Sequence, residues 1–230
     1  MRPESKSELV RVNDSQQCVS SPWEEAYNRF ETPEEEIAKF IKRLRAGGAD
    51  SWLKDARVIE LFCGRGNGLR ALERLGFTNV EGADLSEPLI SQYSGPAKCY
   101  VCDCRELPFA TASRDIAIIQ GGLHHLPHLP EDLERSLREI ARILKPGGRF
   151  FLVEPWLTSF LHAVHFACGV GLLRRLSVKL DALAVMIDNE RDTYENWLSR
   201  PREIAGLLCK YFPNNILTTG LGKVCFIGKS

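Results

Sequence analysis

The sequence VIELFCGRGNG, at residues 58–68, joins a short apolar run to an acid and then to a glycine-rich turn. Glycine has no Cβ, so the backbone of such a turn can approach a ligand closely. Glu60 stands where many nucleotide-binding sites receive a phosphate, and its carboxylate would repel a phosphate and attract an ammonium group. The stretch therefore predicts a strand, a turn and a helix N-terminus that face a ligand carrying an ammonium group and a ribose.

Short apolar runs alternate with helical patterns from residue 57 onward. Strands are expected at 57–62, 79–83, 97–102, 115–120, 149–154, 215–219 and 223–228. Helices are expected at about 67–75, 87–94, 131–144 and 201–212. The alternation predicts an α/β fold with a mostly parallel sheet covered by helices on both faces. Only Gly220-Leu221-Gly222 separates the last two strands, which is too short for a parallel crossover, so an antiparallel hairpin is expected there.

The same pattern sets the expected domain organisation. The segments are an N-terminal helical cap (1–56), a ligand-binding Rossmann-like core (57–155), a helical lid or substrate insertion (156–198), and a C-terminal helix and β-hairpin that complete the core (199–230). Within the cap, residues 1–20 should be irregular and Trp23–Phe30 should be a short helix. Thr32, followed by Pro33 and Glu35, has the spacing of a capping box at the start of the next helix.

The composition is that of an ordinary globular protein, with 44% hydrophobic and 26% charged residues among 230. Thirty basic residues balance thirty acidic ones, whereas nucleic-acid-binding proteins usually have a basic excess, so nucleic acid is not an expected partner. The eight cysteines are scattered through apolar segments, and residues 1–6 are polar. We therefore expect reduced thiols in a cytoplasmic protein.

Residues 156–173 contain no Asp, Glu, Lys or Arg, and their number is at the lower end of the range for a membrane span. His162 and His165 interrupt the apolar character, and Arg174 follows directly. An apolar lid or core helix is therefore favoured over a span, with a membrane-surface contact as the less favoured alternative.

Polar side chains follow several of the predicted strands. Glu60, Asp84, Asp103 and Gln120 stand at the ends of successive strands. In an open parallel sheet, ligands bind outside these carboxyl ends. Asp84 lies some twenty residues beyond the glycine turn, where a carboxylate can accept both hydroxyls of a ribose, as in dinucleotide sites. The dinucleotide motif needs a third glycine at residue 69, which is Leu69 here, and this argues against NAD.

Together these motifs resemble a known enzyme family. The resemblance covers about residues 57–155. It is carried, in order, by residues 60–68, Asp84, Asp103 with Leu107-Pro108-Phe109, Asp115, Leu123-His124-His125-Leu126 and the run 142–148, Arg-Ile-Leu-Lys-Pro-Gly-Gly. The chain is similar to class I S-adenosylmethionine-dependent methyltransferases, most closely the type 11 small-molecule branch. The family implies a Rossmann-like, seven-stranded, mostly parallel sheet with an antiparallel last strand.

The resemblance also implies which residues bind the methionine part of the cofactor. Glu60 would hold the ammonium group, and Gln120 would lie beside the methionine. Gly64 and Gly66 would let the backbone pass close to the methionine and ribose. Phe62 departs from the family, which commonly has glycine at this position, and its ring must turn aside to leave the site open.

The adenosine part has its own implied contacts. Asp84 would accept the ribose hydroxyls, and Leu85 would pack against the adenine. Asp103 would accept a hydrogen bond from the adenine amino group, and the amide of Cys104 would donate one to a ring nitrogen. Cys63, inside the glycine turn, completes the predicted cofactor-binding set.

The expected reaction is a direct in-line transfer of a methyl group to an O, N, S or C nucleophile of a small molecule, which leaves S-adenosylhomocysteine. His124 and His125 are candidate catalytic residues, because a positioned histidine can take a proton from a hydroxyl acceptor. The candidate substrate-pocket residues are Tyr27, His125, His162, His165 and Tyr194. The apolar run at 156–173 slightly favours an apolar acceptor.

Several alternatives remain open from the residues alone. A NAD- or FAD-binding oxidoreductase would share the sheet, a catalytically silent module would bind the cofactor without transferring a methyl group, and an RNA or protein methyltransferase would differ only in its acceptor. No metal is expected. His162 and His165 have no carboxylate or cysteine at ligand spacing beside them, and Cys99 and Cys102 on a strand would point to opposite faces.

Overall fold

An eight-stranded sheet forms the centre of the computed structural model, which describes residues 8–16 and 20–230. The strands are β1 (Leu9–Arg11), β2 (Arg57–Leu61), β3 (Asn79–Asp84), β4 (Lys98–Val101), β5 (Arg114–Gln120), β6 (Leu144–Pro155), β7 (Asn214–Gly220) and β8 (Lys223–Lys229). Their order across the sheet is β1-β4-β3-β2-β5-β6-β8-β7. Strands β1 to β6 pair in parallel, and β8 runs antiparallel to both β6 and β7. The predicted fold class and the antiparallel hairpin are confirmed.

The sheet has eight strands among the described residues where seven were expected, and the additional strand is β1. Residues 1–20 were expected to be irregular, but Leu9 pairs with Cys99 and Arg11 with Val101 at the edge of the sheet. Residues 1–7 and 17–19 lie outside the described residues. The sequence gives little sign of β1, because a strand of this length has no readable alternation and owes its conformation to its hydrogen-bonded neighbour β4.

Helices cover both faces of the sheet. They are α1 (Ser21–Phe30), α2 (Pro33–Ala46), α3 (Asn67–Arg74), α4 (Glu87–Ile90), α5 (Glu131–Ile143), α6 (Ser159–Gly169), α7 (Gly171–Leu176), α8 (Val178–Asn189), α9 (Arg191–Leu198) and α10 (Pro201–Tyr211). Helix α2 begins with the predicted capping box, in which the Thr32 hydroxyl accepts from the Glu35 amide and the Glu35 carboxylate accepts from the Thr32 amide. Such a cap contributes about 1 kcal/mol to helix stability.

Two apolar clusters lie on opposite faces of the sheet. Helices α5 and α10 pack on one face, where Leu133, Leu137 and Ile140 are fully buried as the helical pattern predicts. Helices α2 and α3 pack on the other face, against side chains such as Phe151. Each fully buried leucine or isoleucine contributes about 1.5–3 kcal/mol, so these clusters hold the strand ends in fixed positions.

The segment 156–198 folds as four helices, α6 to α9, instead of one long helix. Across residues 8–16 and 20–230, every helix is too short or too polar to cross a bilayer. Helix α8 packs along α1, with Ala26, Ala182 and Met186 buried between them. The two helices together cover the edge of the sheet where the parallel strands end.

Candidate functional site

A cavity of about 870 Å³ lies at the carboxyl ends of the parallel strands. Residues of α1, α2, α6, α8 and α9 line it together with the strand ends. The predicted residues that line it are Tyr27, Glu60, Phe62, Cys63, Gly64, Asp84, Leu85, Asp103, Cys104, Gln120, His124, His125 and Tyr194. Gly66, His162 and His165 are not among the residues that line it.

Glu60 is the most unusual polar residue of the cavity. Its side chain is 3% exposed, and its Oε2 has no hydrogen-bond partner among the described residues. Both side-chain polar atoms of the adjacent Gln120 are also without a partner there. Burial, together with the charge of Glu36, raises the pKa of Glu60 well above its usual range. A buried carboxylate oxygen without a donor is costly, so this position favours a ligand with a positively charged donor.

Gly68 sets the distance between Glu60 and helix α3. A Cβ at residue 68 would lie 1.8 Å from Glu60 Oε1, closer than two non-bonded atoms can approach. Only glycine therefore allows the first turn of α3 to rest directly against the carboxylate. The helix N-terminus carries a partial positive charge that favours a carboxylate at this place.

Asp84 is held by the glycine turn. Its Oδ2 accepts the Gly64 amide at 2.8 Å and its Oδ1 accepts the Ser86 amide at 2.8 Å. Each carboxylate oxygen has a further lone pair for a ligand. The two amides fix the carboxylate at the rim of the cavity, in an orientation suited to a vicinal diol.

Asp103 lies further along the same edge but is paired within the protein. Arg105 donates to both of its carboxylate oxygens, at 2.7 Å through Nη2, and also contacts Asp132 at 3.1 Å. Burial alone would raise the pKa of Asp103, but Arg105 outweighs it and the pKa is lowered. At the neighbouring Cys104, burial raises the thiol pKa to about 12, so this cysteine is a neutral packing residue.

Phe62 and Gly66 occupy left-handed backbone conformations, with φ of 57° and 76°. That conformation costs a non-glycine residue roughly 1–2 kcal/mol. The Phe62 ring turns aside onto Gly122, where a Cβ would meet it at 2.3 Å. Gly66 instead leaves space for the ring of Tyr93, because a Cβ at residue 66 would lie 2.4 Å from that ring. Gly66 thus shapes the turn from outside the cavity.

His124 forms a buried pair with Glu154. Its Nδ1 lies 2.6 Å from Glu154 Oε2, while Glu154 Oε1 accepts the amides of Gly122 and Leu123 at 2.8 Å each. Burial lowers the pKa of His124, but the Glu154 carboxylate outweighs burial and raises it overall. His124 is therefore a fixed, positively polarised group.

His125 stacks beside His124 and is uncharged. Its ring centroid lies 4.0 Å from that of His124, and its Nδ1 lies 3.2 Å from Glu190 Oε2, which also accepts from Trp23 Nε1 at 3.1 Å. Burial, with the charge of His124, lowers the pKa of His125 well below its usual range. If Nδ1–H donates to Glu190, Nε2 is left as an acceptor. Within the described part of the chain, His124, His125 and Glu190 also place ligand atoms within 4.8 Å of one another.

The remaining predicted substrate residues fall into two groups. Tyr27 and Tyr194 line the cavity, and the Tyr27 hydroxyl donates to Glu36. His165 Nε2 lies 3.2 Å from the Tyr194 hydroxyl, behind the cavity wall, and His162 is exposed. The face that each histidine presents depends on how α6 docks, which the sequence does not specify.

Comparison with known proteins agrees with this geometry. Residues 59–152 match the type 11 family model described as a methyltransferase domain. Residues 59–152 thus have the sequence of a type 11 methyltransferase domain. It is 29% identical over 154 residues to the ubiquinone/menaquinone biosynthesis C-methyltransferase UbiE of Geotalea daltonii, covering 55% of this chain and 63% of that protein. It is 35% identical over 108 residues to the 2-phytyl-1,4-naphtoquinone methyltransferase of Nostoc punctiforme, covering 42% of this chain and 45% of that protein. The match thus spans about half the length of these curated relatives.

Solved structures support the fold of the methyltransferase domain. The PH0226 protein of Pyrococcus horikoshii superimposes with a TM-score of 0.58 and 21% identity, covering 82% of this chain and 89% of that one. Identity at this level shows a shared Rossmann-like fold and nothing more specific.

Several residues around the methyltransferase cavity were not singled out from the sequence. Glu36 and Arg43 line it from α2. Both lie on the same helical face as Phe40, and this spacing in the sequence could have identified them as facing the cavity. Lys223 lines it from the start of β8, and burial beside Arg43 and Lys39 lowers its pKa to about 8. Glu190 lies between α8 and α9, and no sequence signal marks it.

Proposed function

We propose that this protein transfers a methyl group from S-adenosylmethionine to an apolar small molecule bound in the same cavity. The observation that carries the proposal is the buried, unpartnered carboxylate oxygen of Glu60, placed in one cavity with the amide-fixed carboxylate of Asp84. An ammonium group satisfies the first and a ribose diol satisfies the second. NAD carries a pyrophosphate, which has no proton to donate to Glu60 Oε2.

The residues present fit the whole amino-acid end of this cofactor. Glu60 would bind its ammonium group. The side chains of Arg43 and Lys223 line the same cavity and make no hydrogen bond or ion pair with any residue in 8–16 or 20–230, so they are suited to a carboxylate. Asp84 would bind the ribose. Asp103 would reach the adenine amino group only by sharing its carboxylate with Arg105.

When bound, S-adenosylmethionine supplies an electrophilic methyl group on a good leaving group. The protein then has to align the acceptor and exclude water. Apolar side chains of the lid, including Val164, Leu183, Met186 and Ile187, line the acceptor part of the cavity. They exclude water and favour an acceptor with a large apolar portion.

His125 is the residue we assign to proton transfer. Because its pKa is lowered, it is neutral near pH 7, and Glu190 holds its Nδ1 so that Nε2 can take a proton from a hydroxyl-bearing acceptor. His124, positively polarised by Glu154, can stabilise negative charge that develops on the acceptor oxygen. The names of two relatives refer to quinones, and the reduced form of a quinone is an aromatic ring that bears hydroxyls.

Calorimetric titration with S-adenosylhomocysteine tests the proposal. We expect saturable binding to the wild type and a loss of at least tenfold in affinity for Asp84→Asn. Asp115→Asn is the matched control, because Asp115 also accepts a backbone amide, from Arg57 at 2.9 Å, but does not line the cavity. NADH should give no heat. Binding of NADH in preference to S-adenosylhomocysteine would contradict the proposal, and cofactor binding without methyl transfer to any hydroxyquinone would point to a silent binding module.

A further inference from the structure

The outer surface of the lid has an unusual composition. Residues 155–180 contain no Asp or Glu, but they contain Arg174, Arg175 and Lys179. The whole chain, in contrast, has equal numbers of acidic and basic residues. A continuous segment with cationic and apolar residues and no acids is typical of helices that lie on anionic membrane surfaces.

Large apolar side chains of this segment face solvent. Phe166 is 75% exposed, Leu172 67%, Leu176 76% and Val178 63%. Phe160 and Leu173 are also exposed, and we call these six residues the lid face. These residues lie on α6, α7 and α8, three helices that pack against one another. Isolated exposed apolar residues are common, but a cluster of this size marks a contact surface.

A cationic notch lies beside the lid face. Arg29, Arg174 and Arg175 line it together with Asp181, and its volume is about 440 Å³. Asp181 pairs with both Arg29 and Arg174, at 3.0 and 2.8 Å. Arg175 is exposed, and its guanidinium has no hydrogen bond or ion pair within residues 8–16 and 20–230. The notch therefore keeps a net positive charge and a free guanidinium, the group that best matches a phosphate.

The lid face is continuous with the methyltransferase cavity. Phe160 is 51% exposed and at the same time lines the cavity. Leu221, at the tip of the C-terminal hairpin, is 75% exposed and also lines it. A Cβ on the adjacent Gly222 would lie 3.7 Å from the Phe160 ring, so these residues form one apolar rim. An apolar molecule could pass between this rim and a neighbouring lipid phase without crossing water.

We infer that the lid face and the cationic notch form a docking surface for an anionic lipid bilayer, with the notch receiving lipid phosphates and the apolar rim opening toward the acyl chains. The inference deepens the proposed function, because it makes the acceptor a membrane-dissolved molecule. The favoured occupant is a bilayer and not a second copy of this chain, because the notch selects negative charge while residues 155–180, which carry the lid face, contain no Asp or Glu.

Vesicle co-sedimentation of the full chain tests the inference. We expect binding to vesicles of phosphatidylcholine mixed with phosphatidylglycerol, weaker binding to pure phosphatidylcholine, and release by salt. The double variant Leu172→Ser/Leu176→Ser should lose at least tenfold in partitioning, since burying one leucine is worth roughly tenfold. Arg175→Glu should lose roughly fivefold or more on anionic vesicles only. Leu53→Ser is the matched control, because Leu53 is 75% exposed outside the lid.

The outcomes separate this inference from the proposed function. The inference is supported if the wild type and Leu53→Ser bind anionic vesicles and the lid-face variants do not. Absence of vesicle binding, or equal binding by the double variant, would overturn it, as would a self-associating wild type whose variant is monomeric. The double variant should still bind S-adenosylhomocysteine, and Asp84→Asn should still bind vesicles, so either proposal can fail alone.

Discussion

Gly68→Ala gives the sharpest test of how the cofactor site is built. The added Cβ would lie 1.8 Å from Glu60 Oε1 and 2.3 Å from both Cδ and Oε2. Non-bonded heavy atoms settle at about 3.5–4.0 Å, so the carboxylate must retreat by about 1.5 Å or more. A hydrogen bond of good geometry cannot survive such a displacement.

The size of the effect follows from the bond that is lost. A hydrogen bond between charged groups contributes about 1.5–3 kcal/mol, so the affinity for S-adenosylhomocysteine should fall by about ten- to hundredfold. The folded state should suffer less, because alanine stabilises a helix by about 1 kcal/mol relative to glycine and partly offsets the strain. The variant should therefore lose binding while remaining folded.

Gly206→Ala in α10 is the matched control. It makes the same change in a helix, and its Cβ would have no neighbour within 4 Å. We expect it to raise the free energy of unfolding by about 1 kcal/mol and to leave binding unchanged. Calorimetric titration gives the affinities, and urea unfolding gives the stabilities. If Gly68→Ala bound S-adenosylhomocysteine within twofold of the wild type, Glu60 would not be the ammonium-binding group.

Three further predictions concern stability and pH. Trp197→Phe, which removes the 2.8 Å bond from Nε1 to the Pro155 carbonyl, should lower the free energy of unfolding by about 1–3 kcal/mol, and an unchanged urea midpoint would refute this. Because the pKa of His124 is raised in the folded state, stability should decline as pH rises above about 6.5, and His124→Asn should flatten that slope. With a hydroxyquinone acceptor, His125→Asn should lower kcat by about 100-fold or more. Because the pKa of His125 is lowered, wild-type kcat should not drop as the pH falls through about 6.5. A drop in kcat near that pH would argue against His125 as the base.

Much of the fold was predictable because its signals are local. The capping box at Thr32, the helical face around Leu137 and the short link at Gly220–Gly222 each fix one element without reference to the rest. Glu60 and Asp84 could be brought together from sequence because parallel strands present their carboxyl ends at one edge, whatever the intervening helices do.

The parts that were not predictable depend on distant contacts. Strand β1 exists because β4, about ninety residues later, pairs with it. Glu190 reaches His125 only after α8 has packed on α1, and the exposure of His162 follows from the docking of α6. None of these residues carries a local pattern that distinguishes it. The boundaries of the cap, lid and C-terminal segments stay predictions for the same reason.

The position of β8 matters for how the protein is made. Residues 223–229 emerge from the ribosome after the strands β1 to β7, yet they insert between β6 and β7. Until then the nascent chain has an unpaired edge at β6. In the folded protein, Phe150 and Phe151 of this strand are completely buried. Such an edge recruits strands from other polypeptides. Translation that stalls shortly before Lys223 would therefore yield a product that lacks β8, is prone to aggregate and is a client for chaperones.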